Sequence, residues 1–336
     1  MKHIPQEVLD VLQEGRSYII VGHKEPDGDC IGSQLGLGRF LARRGKQVHL
    51  VSPGPFQRVE LEPWQDQFAP HIPEDIDPAT TTVVVVDCST LERIGYLADE
   101  IGPHQLKTVV IDHHSSGTPF GDIRHIDSSA PSVTIMILDL IEELGDEPTR
   151  EEAGILLFGL ATDTGFFRHL EADNQDVFGA IGRLTAYGAS PKEIYQRMYG
   201  GRSLASKRLL GVLLERTRSY CDGKLIITYE TLDELDQFGI ENRDSDTLYQ
   251  QLQGVLGTET IVFIREESPG ECSVGLRSNA DVDVGKIALS FGGGGHAKAA
   301  GFSWKGNYKE SLEAVLPAII QAVRDATRAD CGNIPE

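Results

Sequence analysis

The sequence has few cysteines and no apolar run long enough to cross a membrane. Its 5 cysteines among 336 residues form no CxxC pair, so neither a disulfide framework nor a zinc ribbon is expected. The longest apolar stretch, residues 153–161, is far shorter than the ~18 residues of a membrane span. Glu7, Asp10 and Glu14 interrupt the apolar core that a signal peptide would need near the N-terminus. These absences predict a protein of the reducing cytoplasm.

Basic residues are also scarce. Lys and Arg total 31 against 51 Asp and Glu, which gives a formal charge of −20. This balance argues against binding of long nucleic acid, which needs Lys and Arg clustered along the phosphates. A short phosphorylated substrate is not excluded, and carboxylates that hold metal ions would add to the acidic count. The length and the 40% hydrophobic content predict two globular domains.

The first half of the chain alternates β-branched runs with helical segments, which is typical of an α/β fold with a parallel sheet. Val83–Val86 is apolar at every residue, as expected of a strand buried on both faces. The predicted strands are Ser17–Gly22, Gln47–Ser52, Thr82–Asp87 and Lys107–Asp112. The predicted helices are Ile31–Arg44, Leu91–Glu100, Ser132–Leu144, Arg150–Ala161 and Gln175–Tyr187.

The second half predicts a helical connector and a smaller domain. Ser190 can cap a helix that starts at Pro191, so residues 190–221 are interpreted as the connector. The first domain then spans 1–189, and a mixed α/β domain spans 222–330. In the second domain we predict strands Lys224–Glu230, Thr260–Glu266 and Cys272–Arg277, helices near Asp244–Val255 and over Tyr308–Thr327, and a glycine tract, Gly292–Gly295.

Carboxylates and imidazoles directly follow several of the predicted hydrophobic elements. In an open α/β sheet such positions meet beyond the carboxyl ends of the strands, where ligands bind. The acidic groups would repel one another there unless cations lay between them. Carboxylate and imidazole donors suit Mn²⁺ or Mg²⁺, and the donor types do not exclude Fe or Zn. Two such cations form a general device for phosphoryl hydrolysis. The residues concerned are His23, Asp27, Asp29, Asp87, Asp112, His113, His114 and Asp163.

Each position also has an ordinary structural interpretation. Asp27–Gly28 is as easily a surface turn, with Asp29 as a helix N-cap. Asp87 could cap the next helix or face solvent. The pair His113–His114 after a buried strand is harder to explain by packing. At a helix C-terminus, Asp163 is disfavoured by the macrodipole unless a cation binds there.

Taken together, the motifs resemble the DHH phosphoesterases, a family named for the triplet Asp112-His113-His114. The motif His23-x3-Asp27-x-Asp29, then Asp87, the triplet and Asp163 occur in the family's order. The segment Gly-Gly-Gly-Gly-His296 resembles the signature of the associated substrate domain. The resemblance covers nearly the whole chain.

The resemblance implies two divalent cations, with Mn²⁺ preferred and Mg²⁺ as the alternative. The implied ligands are His23 and Asp27 for one cation, Asp29, His113 and Asp163 for the second, and Asp87 for both. A hydroxide between the cations would be the nucleophile. His114 would contact the phosphate and assist protonation of the leaving group, while Asp112 would orient a histidine.

The glycine tract has a direct interpretation as well, because consecutive glycines let backbone amides approach a phosphate. Residues 272–309 contain five basic and two acidic side chains, an excess of positive charge in an acidic chain. Arg277 could clamp a phosphate bidentately, whereas Arg168 is nearly as easily a surface arginine. The implied substrate-binding residues are Arg168, Arg277, Ser278, Gly294, Gly295 and His296.

Domain order and length are similar to the branch of the family that contains oligoribonucleases able to dephosphorylate 3′-phosphoadenosine 5′-phosphate. The resemblance therefore implies hydrolysis of short oligoribonucleotides to mononucleotides and conversion of that bisphosphonucleotide to AMP. A linear or cyclic dinucleotide phosphodiesterase and a low-turnover nucleotide-binding regulator stay as alternatives. Neither a membrane nor long duplex nucleic acid is expected as a partner, and a homodimer is left open.

Overall fold

The computed structural model describes residues 3–170, 175–327 and 331. The chain forms two compact units, Met1–Gly201 and Arg202–Glu336. This division falls inside the expected connector, 190–221, and the domain limits 1–189 and 222–330 stay predictions. Residues 328–330 of the second range lie outside the described residues. No helix in the described part of the chain is long and apolar enough to cross a membrane.

The first unit is built on a five-stranded parallel sheet with the strand order β2-β1-β3-β4-β5. The strands are β1 (Ser17–Val21), β2 (Gln47–Val51), β3 (Thr81–Val86), β4 (Lys107–Asp112) and β5 (Ile123–Ile126). Every residue of β3 is buried, because apolar clusters lie on both faces of the sheet. The predicted parallel α/β fold is confirmed. The edge strand β5 was not predicted, since it is short and alternates buried and exposed residues.

The helices of the first unit are α1 (Gln6–Glu14), α2 (Gly28–Arg43), α3 (Leu97–Ile101), α4 (Val133–Glu143), α5 (Arg150–Asp163), α6 (Gln175–Ala186) and α7 (Pro191–Tyr199). Helix α2 begins at Gly28 rather than at the predicted Ile31. The reason is that the Asp27 carboxylate accepts hydrogen bonds from the backbone N–H groups of Asp29 and Cys30. Asp27 is therefore the N-cap, and Asp29 lies in the first turn.

The predicted helix over residues 91–100 is wrong as a single element. A short 3₁₀ helix, Leu91–Ile94, is followed by the separate helix α3. Gly95 lies between them with a φ of 64°, a left-handed conformation that ends the first turn.

Helices α2 and α5 approach closely because glycines lie where they cross. A Cβ added at Gly32 would be 3.2 Å from the Cα of Gly159. A Cβ at Gly159 would in turn be 3.0 Å from the carbonyl oxygen of Gly28. This crossing brings the first turn of α2 close to the last turn of α5.

The second unit contains a six-stranded mixed sheet with the order β10-β11-β9-β8-β7-β6. Its strands are β6 (Arg218–Tyr220), β7 (Leu225–Glu230), β8 (Thr260–Ser268), β9 (Glu271–Ser278), β10 (Gly294–Gly295) and β11 (Ala299–Lys305). Its helices are α8 (Leu204–Glu215), α9 (Leu232–Phe238), α10 (Ser245–Gln253), α11 (Val284–Ser290) and α12 (Tyr308–Thr327). The predicted mixed α/β character and the last helix are confirmed. Part of the glycine tract is a short strand, since Gly294 and Gly295 pair with β11.

One disulfide bond joins Cys221 to Cys331. The expectation that no disulfide forms is therefore wrong for this pair. The two cysteines are 110 positions apart in the chain, so the spacing of the sequence alone carries no signal for their contact. Cys30, Cys88 and Cys272 are free and buried.

Candidate metal centre

Seven of the predicted residues meet at the carboxyl edge of the parallel sheet. His23 follows β1, Asp87 follows β3, and His113 and His114 follow β4. Asp27 and Asp29 lie at the start of α2, and Asp163 is the last residue of α5. Parallel strands carry their carboxyl ends to one edge, which is why residues far apart in the chain converge there.

Asp87 lies at the centre of this group. Its Oδ2 is 3.5 Å from Nε2 of His23, and its Oδ1 is 3.6 Å from Nε2 of His113 and 3.7 Å from Nδ1 of His114. The side chain is buried, and Oδ1 has no hydrogen-bond partner. The backbone of Asp87 is left-handed, with a φ of 55°. A strained, buried carboxylate with an unpartnered oxygen is expected where an ion binds.

Asp29 and Asp163 flank His113 on the other side of the group. Nε2 of His113 is 4.0 Å from Oδ2 of Asp29 and 3.7 Å from Oδ2 of Asp163. The fully buried Asp29 carboxylate also accepts hydrogen bonds from the N–H groups of Val133 and Thr134 at 2.6 and 2.9 Å. These bonds fix both of its oxygens against the start of α4.

Crowding perturbs the acidity of these carboxyl groups. Burial raises the pKa of Asp29 well above its ordinary value, and the nearby charges of Asp87 and Asp163 add to the rise. Burial also raises the pKa of Asp163 to about 6, although His113 opposes the shift. A cation between the carboxylates would relieve this repulsion.

Backbone carbonyl groups orient the rings of His23 and His113. Nδ1 of His23 is 2.8 Å from the carbonyl oxygen of Lys24, and Nδ1 of His113 is 3.1 Å from that of Ala130. Because a carbonyl oxygen only accepts, each Nδ1 carries a proton, and Nε2, the nitrogen that faces the carboxylates, is the one that could bind a cation after losing its own proton. This is the arrangement that a metal-binding histidine needs.

His114 has a different partner from His113. Its Nδ1 is 2.7 Å from Oδ1 of Asp112, a buried carboxylate. This hydrogen bond raises the pKa of His114, and burial opposes the rise only in part. The ring therefore keeps its proton to a higher pH than an ordinary histidine.

The donors fit divalent cations. Possible ligand atoms lie within 4.8 Å of one another in three groups, which are His23 with Cys30 and Asp87, Asp87 with His113 and His114, and Asp29 with His113 and Asp163. Carboxylate oxygens and imidazole nitrogens predominate, as in sites for Mn²⁺, Mg²⁺ or Zn²⁺. Cys30 was not predicted from the sequence, because a single cysteine in the first turn of a helix forms no recognisable metal-binding motif.

The predicted substrate residues of the second unit lie on and beside β9 to β11. The Arg277 guanidinium lies over the ring of Tyr249, 4.3 Å from its centroid, and borders a cavity of about 460 Å³ that Arg265 also lines. Gly294, Gly295 and His296 are exposed. The buried Ser278 hydroxyl donates to the carbonyl oxygen of Ala280, so it holds the turn after β9 rather than facing solvent.

Arg168 lies in the first unit, five residues after Asp163. It is exposed, and its Nε donates to the carbonyl oxygen of Gly165 at 2.8 Å. Phe166 and Phe167 just before it have φ angles of 55° and 72°, and the Phe166 ring meets the ring of Tyr195 at 5.2 Å. This aromatic cluster was not predicted from the sequence, because Phe166 lies in the turn after α5 and Tyr195 lies on α7.

Comparisons with known proteins agree with this geometry. The model of the DHH family, N-terminal domain, matches residues 17–160, and that of the DHHA1 domain matches residues 222–325. A bifunctional oligoribonuclease and PAP phosphatase from Thermus thermophilus, NrnA, is 33% identical, over 96% of this chain and 94% of its own length. The Bacillus subtilis protein of the same name is 28% identical, over 89% of this chain and 93% of its length.

A solved structure shares the whole architecture. An exopolyphosphatase-related protein from Bacteroides fragilis superposes with a TM-score of 0.80 at 25% identity, over 97% of this chain and 98% of that protein. The resemblance stated from the sequence is confirmed. The chain belongs to the DHH family, with a DHH domain followed by a DHHA1 domain.

Proposed function

We propose that this chain is a divalent-metal-dependent phosphoesterase that hydrolyses short oligoribonucleotides to mononucleotides and 3′-phosphoadenosine 5′-phosphate to AMP. The observation that carries the proposal is the buried Asp87 carboxylate, which faces three imidazoles and has an oxygen without a hydrogen-bond partner. The names of the Thermus and Bacillus relatives, oligoribonuclease and PAP phosphatase, support the choice of substrates.

Each residue of the centre has a part in this proposal. The proposed ligands are His23 and Asp27 for one cation, Asp29, His113 and Asp163 for another, and Asp87 for both. When bound, a pair of cations would activate water and offset the charge that develops on the phosphate. We propose Mn²⁺ as the preferred ion and Mg²⁺ as the substitute, since carboxylate oxygens predominate.

His114 is proposed to handle the proton of the leaving group. Asp112 occupies its Nδ1, which leaves Nε2 free to contact substrate. The hydrogen bond raises the pKa of His114, which favours the protonated ring that would hold a phosphate oxygen and then donate a proton to the departing oxygen.

Phosphate and base contacts complete the proposal. Arg277, His296 and the amides of Gly294 and Gly295 would bind phosphate in the second unit, with Ser278 holding the turn beside Arg277. Arg168 would contact a phosphate in the first unit. The exposed ring of Tyr195, in the neighbouring aromatic cluster, would stack on a base, a contact that every base can make.

The test is a substrate panel with one added metal. Di- to decaribonucleotides, the bisphosphonucleotide and a cyclic dinucleotide are incubated with Mn²⁺ and the full chain, and products are separated by chromatography. We expect turnover of the shortest linear substrates and of the bisphosphonucleotide. Binding without turnover would instead favour the regulator, and preference for the cyclic compound would favour a cyclic-dinucleotide phosphodiesterase.

An Asp87→Asn variant tests the observation itself. The amide keeps the shape of the side chain but removes the charge shared by the proposed sites. We expect loss of hydrolysis by more than about 10³-fold and loss of bound metal, with an unchanged circular dichroism spectrum. Near-normal turnover with two metals bound would contradict the proposed centre.

A further inference from the structure

Cys30 lies inside the candidate metal centre, one residue after Asp29. A Cβ on Gly22 would clash with the Cys30 Sγ, so the absence of a side chain at Gly22 makes room for the sulfur beside His23. Sγ also contacts Oε1 of Gln34 at 3.7 Å. The Gln34 amide is held in place, because its Nε2 donates to the carbonyl oxygens of Ile20 and Val51, each at 2.9 Å. The position of the sulfur is therefore determined by the fold around it.

The sulfur shares its surroundings with two of the proposed ligands. Donor atoms of His23, Cys30 and Asp87 lie within 4.8 Å of one another, and all three side chains are buried. Ligand atoms of one ion lie about 3 to 4.5 Å apart when each is about 2.0 to 2.3 Å from the metal. Asp87 presents Oδ2 to His23, 3.5 Å from its Nε2, while its unpartnered Oδ1 faces His113 and His114.

We propose that Cys30 is a sulfur ligand of the cation held by His23 and Asp87. On binding, the S–H bond breaks, the proton leaves to solvent, and a sulfur lone pair bonds to the cation without any change of oxidation state. This inference rests on the proposed metal centre and refines it. One cation position has nitrogen, oxygen and sulfur donors and favours Zn²⁺ or Co²⁺, whereas the position at Asp29, His113 and Asp163 has harder donors.

Cys88 provides a matched control within the same region. It also directly follows a proposed ligand and is also buried. Its Sγ contacts the carbonyl oxygen of Thr90 at 3.2 Å, and it belongs to no group of potential ligands among the described residues. A variant at Cys88 thus removes a buried thiol near the centre without touching the proposed ligand.

The experiment follows cobalt binding to the metal-free full chain. Wild type, Cys30→Ala, Cys30→Ser and Cys88→Ala are titrated with Co²⁺, and the thiolate-to-cobalt charge-transfer band in the near ultraviolet is recorded. We expect the band in wild type and Cys88→Ala and its loss in both Cys30 variants. Affinity for Co²⁺ should fall at least about tenfold in Cys30→Ala, since even outer-shell partners of a metal are worth about 10- to 100-fold.

Each result bears on a separate claim. Bound cobalt without the band in wild type, or a band that survives in Cys30→Ser, would overturn the sulfur ligand. The Cys30→Ser variant keeps the side-chain size, so its circular dichroism separates a lost ligand from a lost fold. The proposed hydrolysis is judged separately with Mn²⁺. Failure to bind either Co²⁺ or Mn²⁺ would overturn the metal centre and the sulfur ligand with it.

Discussion

His113 and His114 are neighbours in the chain but have different surroundings. Nε2 of His113 faces Asp29, Asp87 and Asp163, whereas Nδ1 of His114 is bound to Asp112. The planes of the two rings are inclined by 71°. Residues at the end of a strand alternate in direction, so adjacent side chains can serve different roles.

We predict that substitutions of these histidines separate metal binding from chemistry. His113→Ala should lose about half of the bound metal, because a proposed ligand of one ion is removed. His114→Ala should keep its metal but lose about 10²- to 10⁴-fold in kcat, the range for loss of a general acid. Metal analysis and steady-state kinetics on the same preparations measure both effects. Equal metal loss in the two variants would contradict the division of roles.

The pair Asp112–His114 should make stability depend on pH in the metal-free protein. Burial by itself would raise the pKa of Asp112, but the hydrogen bond and charge of His114 outweigh burial and lower it. The hydrogen bond raises the pKa of His114 in turn. Stabilisation by Asp112 is present above the ordinary pKa of about 3.9 and is lost as the pH falls. Stabilisation by His114 is present below about 6.5 and is lost as the pH rises through its raised pKa.

We therefore expect Asp112→Asn to lower the free energy of unfolding more at about pH 6 than at about pH 9. At the lower pH the variant should lose about 1 kcal/mol of the free energy of unfolding, the difference between a hydrogen bond to a charged group and one between neutral groups. As the pH rises through the raised pKa of His114, the imidazole loses its charge, and the loss should shrink. Urea denaturation of the metal-free protein at both values measures the difference. An equal loss at both would show that the pair is not ionised.

At the scale of elements, the crossing of α2 and α5 sets the distance between Asp29 and Asp163. Both helices use glycine at the contact, and a Cβ on Gly159 would clash with the Thr134 side chain. The neighbouring Gly154 on α5 has open space instead, with nothing within 4 Å of an added Cβ. A larger residue therefore fits at Gly154 but not at Gly159.

We predict opposite effects of substitution at these glycines. Gly159→Val should lower the free energy of unfolding by about 1 to 3 kcal/mol through overpacking and should weaken metal binding, because the ends of the helices move apart. Gly154→Ala should raise the free energy of unfolding by up to about 1 kcal/mol, since alanine is more favourable than glycine inside a helix. Thermal denaturation and metal titration measure both variants. Unchanged metal affinity in a destabilised Gly159→Val would show that the crossing does not position the centre.

At the scale of the molecule, the charge of −20 bears on the length of substrate. We expect phosphates of a long strand that extend beyond the bound nucleotides to be repelled by this negative net charge. Their repulsion is screened over about 8 Å at physiological salt. Short substrates avoid this cost because few of their phosphates lie outside the binding groups.

We predict that kcat/KM falls as oligoribonucleotides lengthen past a few residues, and that it falls less steeply at higher salt. Rates measured for a series of lengths at two ionic strengths test this directly. Arg277→Ala should raise KM for the shortest substrates with metal content intact. Processive degradation of long single strands at the rate of dinucleotides would contradict the prediction and favour a long-strand exonuclease.

The sequence by itself determined the fold class and all the side chains of the candidate centre except Cys30. Buried strands such as Val83–Val86 are apolar at every residue, so the pattern along the chain is enough to predict them. His23, Asp87 and the triplet directly follow such strands, and a parallel sheet carries those ends to one edge. The strands follow from the local pattern of residues, and the meeting of their ends follows from the parallel topology. Both can therefore be predicted from the sequence.

Only the tertiary structure decided which atoms lie next to one another. The unpartnered oxygen of Asp87, the Cys30 sulfur beside His23 and the bond between Cys221 and Cys331 all depend on contacts between distant parts of the chain. Helix α2 begins at Gly28 because Asp27 caps it. Several polar residues near this point could serve as the cap, and the sequence pattern does not select among them. Packing selects among these alternatives because only the folded chain brings their partners within bonding distance.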